Sequence, residues 1–204
     1  MHPTLVAITG GSGAGKTALA RALGERLGDD TCVLIGQDDY YHDIRRYGDN
    51  PDKINFDVPA SIDFGLLSQH LRELKSGMTI AKPQYDYKTH CRSADSVQVS
   101  PKPVIIVEGI LVLADPSMPD LFDHTCYIAC GEDIRLARRL ERDVRERGRE
   151  QDEVMRRLKT HVVPYHNRYV RRLRETVDVV IKQQDLVDNF GAVVNRLVRD
   201  WQPK

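Results

Sequence analysis

Gly10-Gly11-Ser12-Gly13-Ala14-Gly15-Lys16-Thr17 decides the fold. These residues fit GxxxxGK(S/T). They stand between an apolar β-branched run, residues 5–9, and a segment in which Leu19, Leu23 and Leu27 recur every fourth residue before Gly28. Strand, glycine-rich turn and helix in that order are the context in which the pattern is a phosphate-binding P-loop. Glycines allow positive φ, which turns successive N–H groups inward around phosphate oxygens, and the following helix adds its positive end. Lys16 is placed to reach the β- and γ-phosphates of a nucleoside triphosphate, and Thr17 to ligate Mg²⁺.

Four further β-branched runs follow, at residues 32–35, 104–107, 125–129 and 177–181, with helical patterns between them. Short apolar runs bounded by turn signals suit strands buried on both faces, the condition of a parallel sheet. Ser61 is placed to cap a helix carrying Leu66, Leu67, Leu71 and Leu74 that stops at Ser76-Gly77. A last helix is expected from Asp185, burying Phe190, Val194, Leu197 and Trp201. The predicted fold is α/β: a P-loop NTPase with a five-stranded parallel sheet flanked by helices, in one domain over residues 1–204. Residues 78–103 break the alternation. Two β-like pieces, 78–82 and 96–99, flank the loop Tyr85-Asp86-Tyr87-Lys88-Thr89-His90, so a β-hairpin excursion with a binding role is expected there.

The 204 residues carry 30 Lys and Arg against 30 Asp and Glu, a formal charge of zero. That zero sums unlike regions. Residues 135–174 hold thirteen arginines and Lys159 against six acids, a surplus of eight positive charges. Six acids cannot neutralise thirteen arginines, so an Arg-rich helical lid at 133–175 is expected to meet an anion, although i,i+4 acid partners on a solvated face would occupy part of it. A chain lacking overall basicity and a nucleic-acid fold signature is not expected to bind nucleic acid. The longest apolar run, residues 104–114, contains Glu108 and is about half the ~20 residues of a membrane span, so no membrane segment is expected. Residues 1–4 pass into the first strand pattern without a basic and apolar leader, and a cytoplasmic location is expected. Cys32, Cys91, Cys126 and Cys130 form no CxxC pair and are read as reduced thiols.

Glu108 closes the third run, the position from which a carboxylate holds Mg²⁺ beside a P-loop. The second run leads into Gly36-Gln37-Asp38-Asp39-Tyr40-Tyr41. Ligands of a doubly wound sheet gather beyond the carboxyl ends of its strands, so this segment faces the same crevice as Lys16 and Glu108. An alcohol attacking a γ-phosphoryl group must lose its proton, and a carboxylate within reach takes it. Spacing alone leaves Asp38 and Asp39 both open for that role. Arg135, Arg138, Arg139, Arg142 and Arg145 share a helix followed by Arg147-Gly148-Arg149, and arginines closing over phosphates stabilise transition-state charge. His161 and His166, five apart without an HExxH pattern, and the isolated His2, His42, His70 and His124 are read as surface or packing residues. His90 stands apart in the aromatic loop.

With these motifs in view, residues 4–181 resemble the uridine kinase (uridine/cytidine kinase) family of P-loop kinases. The resemblance is carried, in the family's order, by GGSGAGKT, QDDYY, NFDVPASIDF from Asn55, PQYDYKTHCR from Pro83, VEGIL from Val107 and DIRLARRLERDVRERGRE from Asp133. It implies phosphorylation of a pyrimidine nucleoside at its 5′-hydroxyl with ATP or GTP as donor and Mg²⁺ as cofactor, by a homo-oligomer, usually a tetramer. It selects Asp38 as the catalytic aspartate, at the metal with Thr17 and Glu108, and Tyr41 as its neighbouring tyrosine. Asp57 matches the carboxylate on the ribose hydroxyls, with Phe56 beside it, and Tyr85, Tyr87 and His90 match the groups around the base. Arg139 and Arg149 match arginines that contact the nucleoside; Arg142 and Arg147 match lid arginines at the phosphates.

The chain departs from that family in three places. Its FDHPDAFD is here Phe56-Asp57-Val58-Pro59-Ala60-Ser61-Ile62-Asp63, the usual Gln-Tyr is Arg157-Leu158, and the usual Pro-Arg-Gly is Lys182-Gln183-Gln184. These changes spare the chemistry and bear on which nucleoside or donor is accepted. Related kinases acting on nicotinamide riboside, phosphoribulose or pantothenate are the enzyme alternatives, and a nucleotide-dependent switch without an acceptor is the alternative of another class. Tyr85, Tyr87 and His90 favour a planar base. The lack of NKxD together with a base-like Asp38 disfavours the switch.

Overall fold

A computed structural model of the chain describes residues 2–48 and 55–201. It opens with β1 (Thr4–Gly10), α1 (Lys16–Leu27), β2 (Cys32–Gly36) and α2 (Phe64–Lys75). Four short strands follow, β3 (Ile80–Lys82), β4 (Tyr85–Asp86), β5 (Cys91–Arg92) and β6 (Val97–Val99), then β7 (Val104–Glu108) and β8 (His124–Ala129). Next come α3 (Glu132–Arg145), α4 (Gln151–Arg157), and α5 (Val163–Tyr165) between two π-helical turns, Leu158–Val162 and His166–Val170. The chain closes with a 3₁₀ turn at Arg171–Glu175, β9 (Val179–Lys182), α6 (Gln183–Asp188) and α7 (Phe190–Trp201).

The predicted five-stranded sheet is present, in the order β2-β7-β1-β8-β9, and every pairing is parallel. Alternation along β1 divides the core. Leu5 and Ala7 pack with Leu67, Leu71 and Leu74 of α2. Val6 and Ile8 pack with Leu19 and Leu23 of α1 and with Val194, Leu197 and Trp201 of α7. Both faces are covered, which is why the strands read as nearly unbroken apolar runs; each large side chain so buried contributes about 1.5–3 kcal/mol. Register aligns Glu108 with Ile8 on one side and Gly36 on the other. The P-loop, Glu108 and the turn after β2 therefore leave the sheet together at the carboxyl ends of its strands.

The helix boundaries depart from the sequence reading in two places. Asp63, not Ser61, caps α2, its carboxylate accepting from the Leu66 N–H at 3.1 Å. Ser61 belongs to a separate 3₁₀ turn, Pro59–Ser61, and donates its hydroxyl to the Val58 carbonyl at 2.7 Å. Ile62 then bridges to Tyr41, which delays the helix by two residues. The C-terminal helix is also two: the backbone of Asn189 leaves the helical region at φ −141°, and its carbonyl accepts the Val193 N–H at 3.1 Å. Phe190 starts α7 at 36% exposure, and the buried stripe is instead Val193, Val194, Leu197, Val198 and Trp201.

The excursion is a hairpin, with β3 antiparallel to β6 and a nested two-residue ladder between β4 and β5. Its tip is built by Asp86, which accepts from the Lys88 N–H and the Thr89 hydroxyl, both at 2.8 Å. The chain then reaches His90 with φ +59°, the one left-handed residue other than glycine among the described residues. α3 and α4 enclose a small core of their own, where Val154, Leu158 and Val162 pack on Leu136, Leu140 and Val144. The four cysteines are free thiols. Among the described residues, no helix is long and apolar enough to cross a membrane.

Candidate active site

The loop from Gly10 to Gly15 leaves β1 and enters α1 with Gly15 as the residue before the helix. Gly13 has φ +80°, and a Cβ there would stand 2.4 Å from the Arg135 carbonyl oxygen. No other residue fits between the loop and α3. Lys16 is buried and donates to the Gly11 carbonyl at 3.1 Å. Burial pushes its pKa down, and the nearby charges of Glu108 and Asp38 pull against that shift. Thr17 donates its hydroxyl to Glu108 Oε1 at 2.8 Å. The Glu108 carboxyl is raised by its own burial, with Lys16 opposing.

The two acids left open by spacing diverge in space. A 3₁₀ turn, Gln37–Tyr40, sends Asp38 into the cleft with Lys16, Thr17 and Glu108, where its Oδ2 accepts from the Tyr87 hydroxyl at 3.2 Å. Asp39 is held outside by an ion pair with Lys82 at the base of the hairpin. Gln37 anchors the turn, its Oε1 accepting the Leu111 N–H at 2.7 Å.

Aromatic rings form the opposite wall. Tyr41 meets Phe56 edge-on at 5.2 Å between centroids, Tyr85 meets Tyr87 at 5.6 Å, and Phe56 stacks on His90 at 4.9 Å. Arg149 lies 3.4 Å from His90 Nε2, and Tyr85 Oη lies 3.4 Å from Nδ1. A guanidinium only donates, so Nε2 is the acceptor and the ring proton sits on Nδ1. Burial first, then Arg149, lowers the His90 pKa to about 4. The His90 imidazole is therefore expected to titrate below pH 5 by NMR, and Arg149→Met is expected to move its midpoint upward. A midpoint near the ordinary ~6.5 would contradict this environment.

The arginines converge on one acid that sequence reading counted only as a charge. Asp143 is 1% exposed. It pairs with Arg142 at 2.9 Å, Arg147 at 3.3 Å and Arg139 at 3.5 Å. Burial alone would raise its carboxyl, but the charges of Arg139, Arg142 and Arg147 outweigh it and hold the group below the ordinary range. The signal was present as an acid at i+4 from Arg139 and i+1 from Arg142. Its burial was not, because that depends on Arg139, Arg142 and Arg147 closing around it and on α3 packing against α4. Asp143→Asn is expected to lower stability by roughly 3–5 kcal/mol in denaturant unfolding, since three cations lose their shared counter-charge. The depressed pKa gives the sign with pH. The contribution of Asp143 is full above the ordinary carboxylate pKa and is lost as pH falls through the depressed one, so the wild-type advantage over the variant should shrink only under acid.

Lys16, Thr17, Asp38, Tyr41, Phe56, Asp57, Tyr85, Tyr87, His90, Glu108, Arg139, Arg142, Arg147 and Arg149 all line one cleft. Two of them make contacts that spacing did not give. Arg139 pairs with Asp57 at 3.0 Å as well as with Asp143 at 3.5 Å while lining the cleft. Tyr87 donates its hydroxyl to Asp38 and lies under the Arg147 guanidinium at 4.5 Å. His161 lines the cleft, as does Arg157, although spacing gave His161 only a surface or packing role. Arg145 takes the solvated reading, paired with Glu141 at 2.8 Å on the outer face. Arg92 was missed: it clamps the carbonyls of Tyr40 and Tyr41 at 2.9 and 2.8 Å and pairs with Asp63, tying the hairpin to the turn after β2.

The profile of the Phosphoribulokinase / Uridine kinase family matches residues 5–189. A uridine kinase of Geobacillus kaustophilus (strain HTA426) is 42% identical over 182 residues, which cover 89% of this chain and 86% of that protein. A uridine kinase of Clostridium novyi (strain NT) is 39% identical over 184 residues, 90% of this chain and 88% of that one. Among solved structures, phosphoribulokinase from Rhodobacter spheroides superimposes with a TM-score of 0.63 at 16% identity, over 89% of this chain and 70% of that one. That likeness speaks for the fold.

Proposed function

The chain belongs to the phosphoribulokinase/uridine kinase family, and on that premise we propose that it is a pyrimidine nucleoside kinase, transferring the γ-phosphoryl group of ATP, or GTP, to the 5′-hydroxyl of uridine or cytidine. One observation carries the reading: a single cleft runs from Lys16 and Thr17 of the P-loop, past Asp38, to an aromatic wall of Tyr41, Phe56, Tyr85 and His90 with Asp57 beside it. The first end suits a triphosphate and the second a ring and a diol.

Backbone N–H groups of residues 10–17 and Lys16 bind the phosphates, and Arg142 and Arg147, oriented by Asp143, face the oxygens on which charge accumulates. Asp57, held by Arg139, accepts from the 2′ and 3′ hydroxyls. Asp38, positioned by Tyr87, takes the proton of the attacking 5′-hydroxyl. Thr17, Asp38 and Glu108 supply oxygens that fit Mg²⁺, which when bound screens the phosphate charge. Waters and phosphate oxygens would complete the shell of such an ion. A cytoplasmic homo-oligomer, a tetramer as in the family it resembles, completes the reading.

Mass and NMR identification of the product from ATP, Mg²⁺ and uridine tests the position of transfer: a 5′-monophosphate is expected, and any other phosphate ester contradicts it. Tyr85→Ala is expected to raise KM for the nucleoside about tenfold and that for ATP by less than twofold, because the ring contributes stacking area at the acceptor end only. Equal effects on both substrates would contradict the division of the cleft.

A further inference from the structure

A second cavity, of about 450 Å³, opens beside the carboxyl end of β8, between α3 and residues 166–175, and shares no lining residue with the cleft. Arg135, Arg171 and Arg174 bring three positive charges to it, against Glu132 and Glu175. Arg135 is 3% exposed, and its nearest acid, Glu132, is 3.8 Å away. Arg171 and Arg174 are exposed and make no ion pair among the described residues. Two buried nitrogens of lining residues, Arg135 Nη1 and His166 Nδ1, have no hydrogen-bond partner among the described residues. Buried polar groups are nearly always satisfied, so the Arg135 nitrogen lacks an acceptor and the His166 nitrogen a partner.

The charges converge on one spot. Burial raises the Tyr127 hydroxyl, and Arg135, Arg174 and Arg171 all pull it back. Burial, then Arg135, Lys16 and Arg171, lowers the His166 pKa to about 4, with Asp57 opposing. Arg135 also abuts the P-loop, since a Cβ on Gly11 would stand 2.6 Å from its Nη1. Guanidinium forks match phosphate oxygens in geometry as well as charge.

We infer that this cavity is a second anion site, taking inorganic phosphate or a small phosphate-bearing molecule, and that Arg135 joins it to the P-loop. An anion among Arg135, Arg171 and Arg174 would offset their like charges and move His166 toward its ordinary pKa.

The test is an NMR titration of the His166 ring resonances with inorganic phosphate at constant ionic strength, the cleft being saturated with a non-hydrolysable ATP analogue and nucleoside. A saturable shift is expected in the wild type. Affinity should fall about tenfold or more in Arg171→Ser/Arg174→Ser, as loss of charged hydrogen bonds implies. Both substituted side chains are exposed, so the variant should fold and keep wild-type turnover in phosphate-free buffer. Absence of a saturable shift, an equal shift in the double variant, or a shift seen only while the cleft is empty would each overturn the inference, the last because phosphate would then be occupying the P-loop.

Discussion

Asp38→Asn is expected to lower kcat by about 10²-fold or more while leaving ATP affinity within a few-fold of the wild type, the range associated with loss of a general base. The substitution preserves shape and still offers an oxygen to the Tyr87 hydroxyl at the position where Asp38 accepts at 3.2 Å, so folding should be unaffected. What it removes is the carboxylate that accepts a proton from the attacking alcohol. Asp39→Asn is the matched control. Its partner is Lys82, outside the cleft, and such a partly exposed pair is worth about 0–1 kcal/mol, so kcat should barely move. Steady-state kinetics with saturating nucleoside checks both variants. Full activity in Asp38→Asn, or an equal loss in Asp39→Asn, would remove Asp38 from the role of base.

Lys16→Met should be still more damaging, with kcat/KM for ATP falling by about 10³-fold, since one preorganised charge at a site of developing negative charge is typically worth 10²–10³. Methionine keeps most of the buried stem and deletes the ammonium. In the wild type Lys16 is buried with Glu108 and Asp38 as its favourable charges, so the variant also leaves Glu108 without the charge that most opposes its upward shift. The Glu108 carboxyl, already raised by burial, should move further up. Burst and binding measurements separate the two effects: weak ATP binding together with slow transfer is expected, and a loss of less than about tenfold in kcat/KM would contradict a phosphate contact by Lys16.

Much of this arrangement is legible in the sequence alone. The five β-branched runs became the five sheet strands because burial on both faces leaves no polar side for alternation to mark. The P-loop could be read because its glycines answer to local backbone geometry. The excursion could be located, though its second ladder could not, since a two-residue pairing leaves no period. Boundaries set by competing caps escaped the reading: Asp63 over Ser61, and the break at Asn189 that displaced Phe190 from the core. So did relations across the fold. Nothing local distinguishes Asp38 from Asp39; Lys82, forty-three residues on, withdraws the second from the cleft. Nothing local makes Asp143 a buried tether, and the surplus of arginines divides among the cleft, the P-loop wall and the outer face only once α3 is packed.

The central claim, that one cleft holds both a triphosphate and a pyrimidine nucleoside acceptor, is tested most directly by ADP formation from ATP and Mg²⁺ with and without uridine, cytidine, nicotinamide riboside or phosphoribulose. Turnover that appears on addition of uridine or cytidine and is negligible without an acceptor is the predicted result; acceptor-independent hydrolysis, or turnover only with nicotinamide riboside or phosphoribulose, would contradict it.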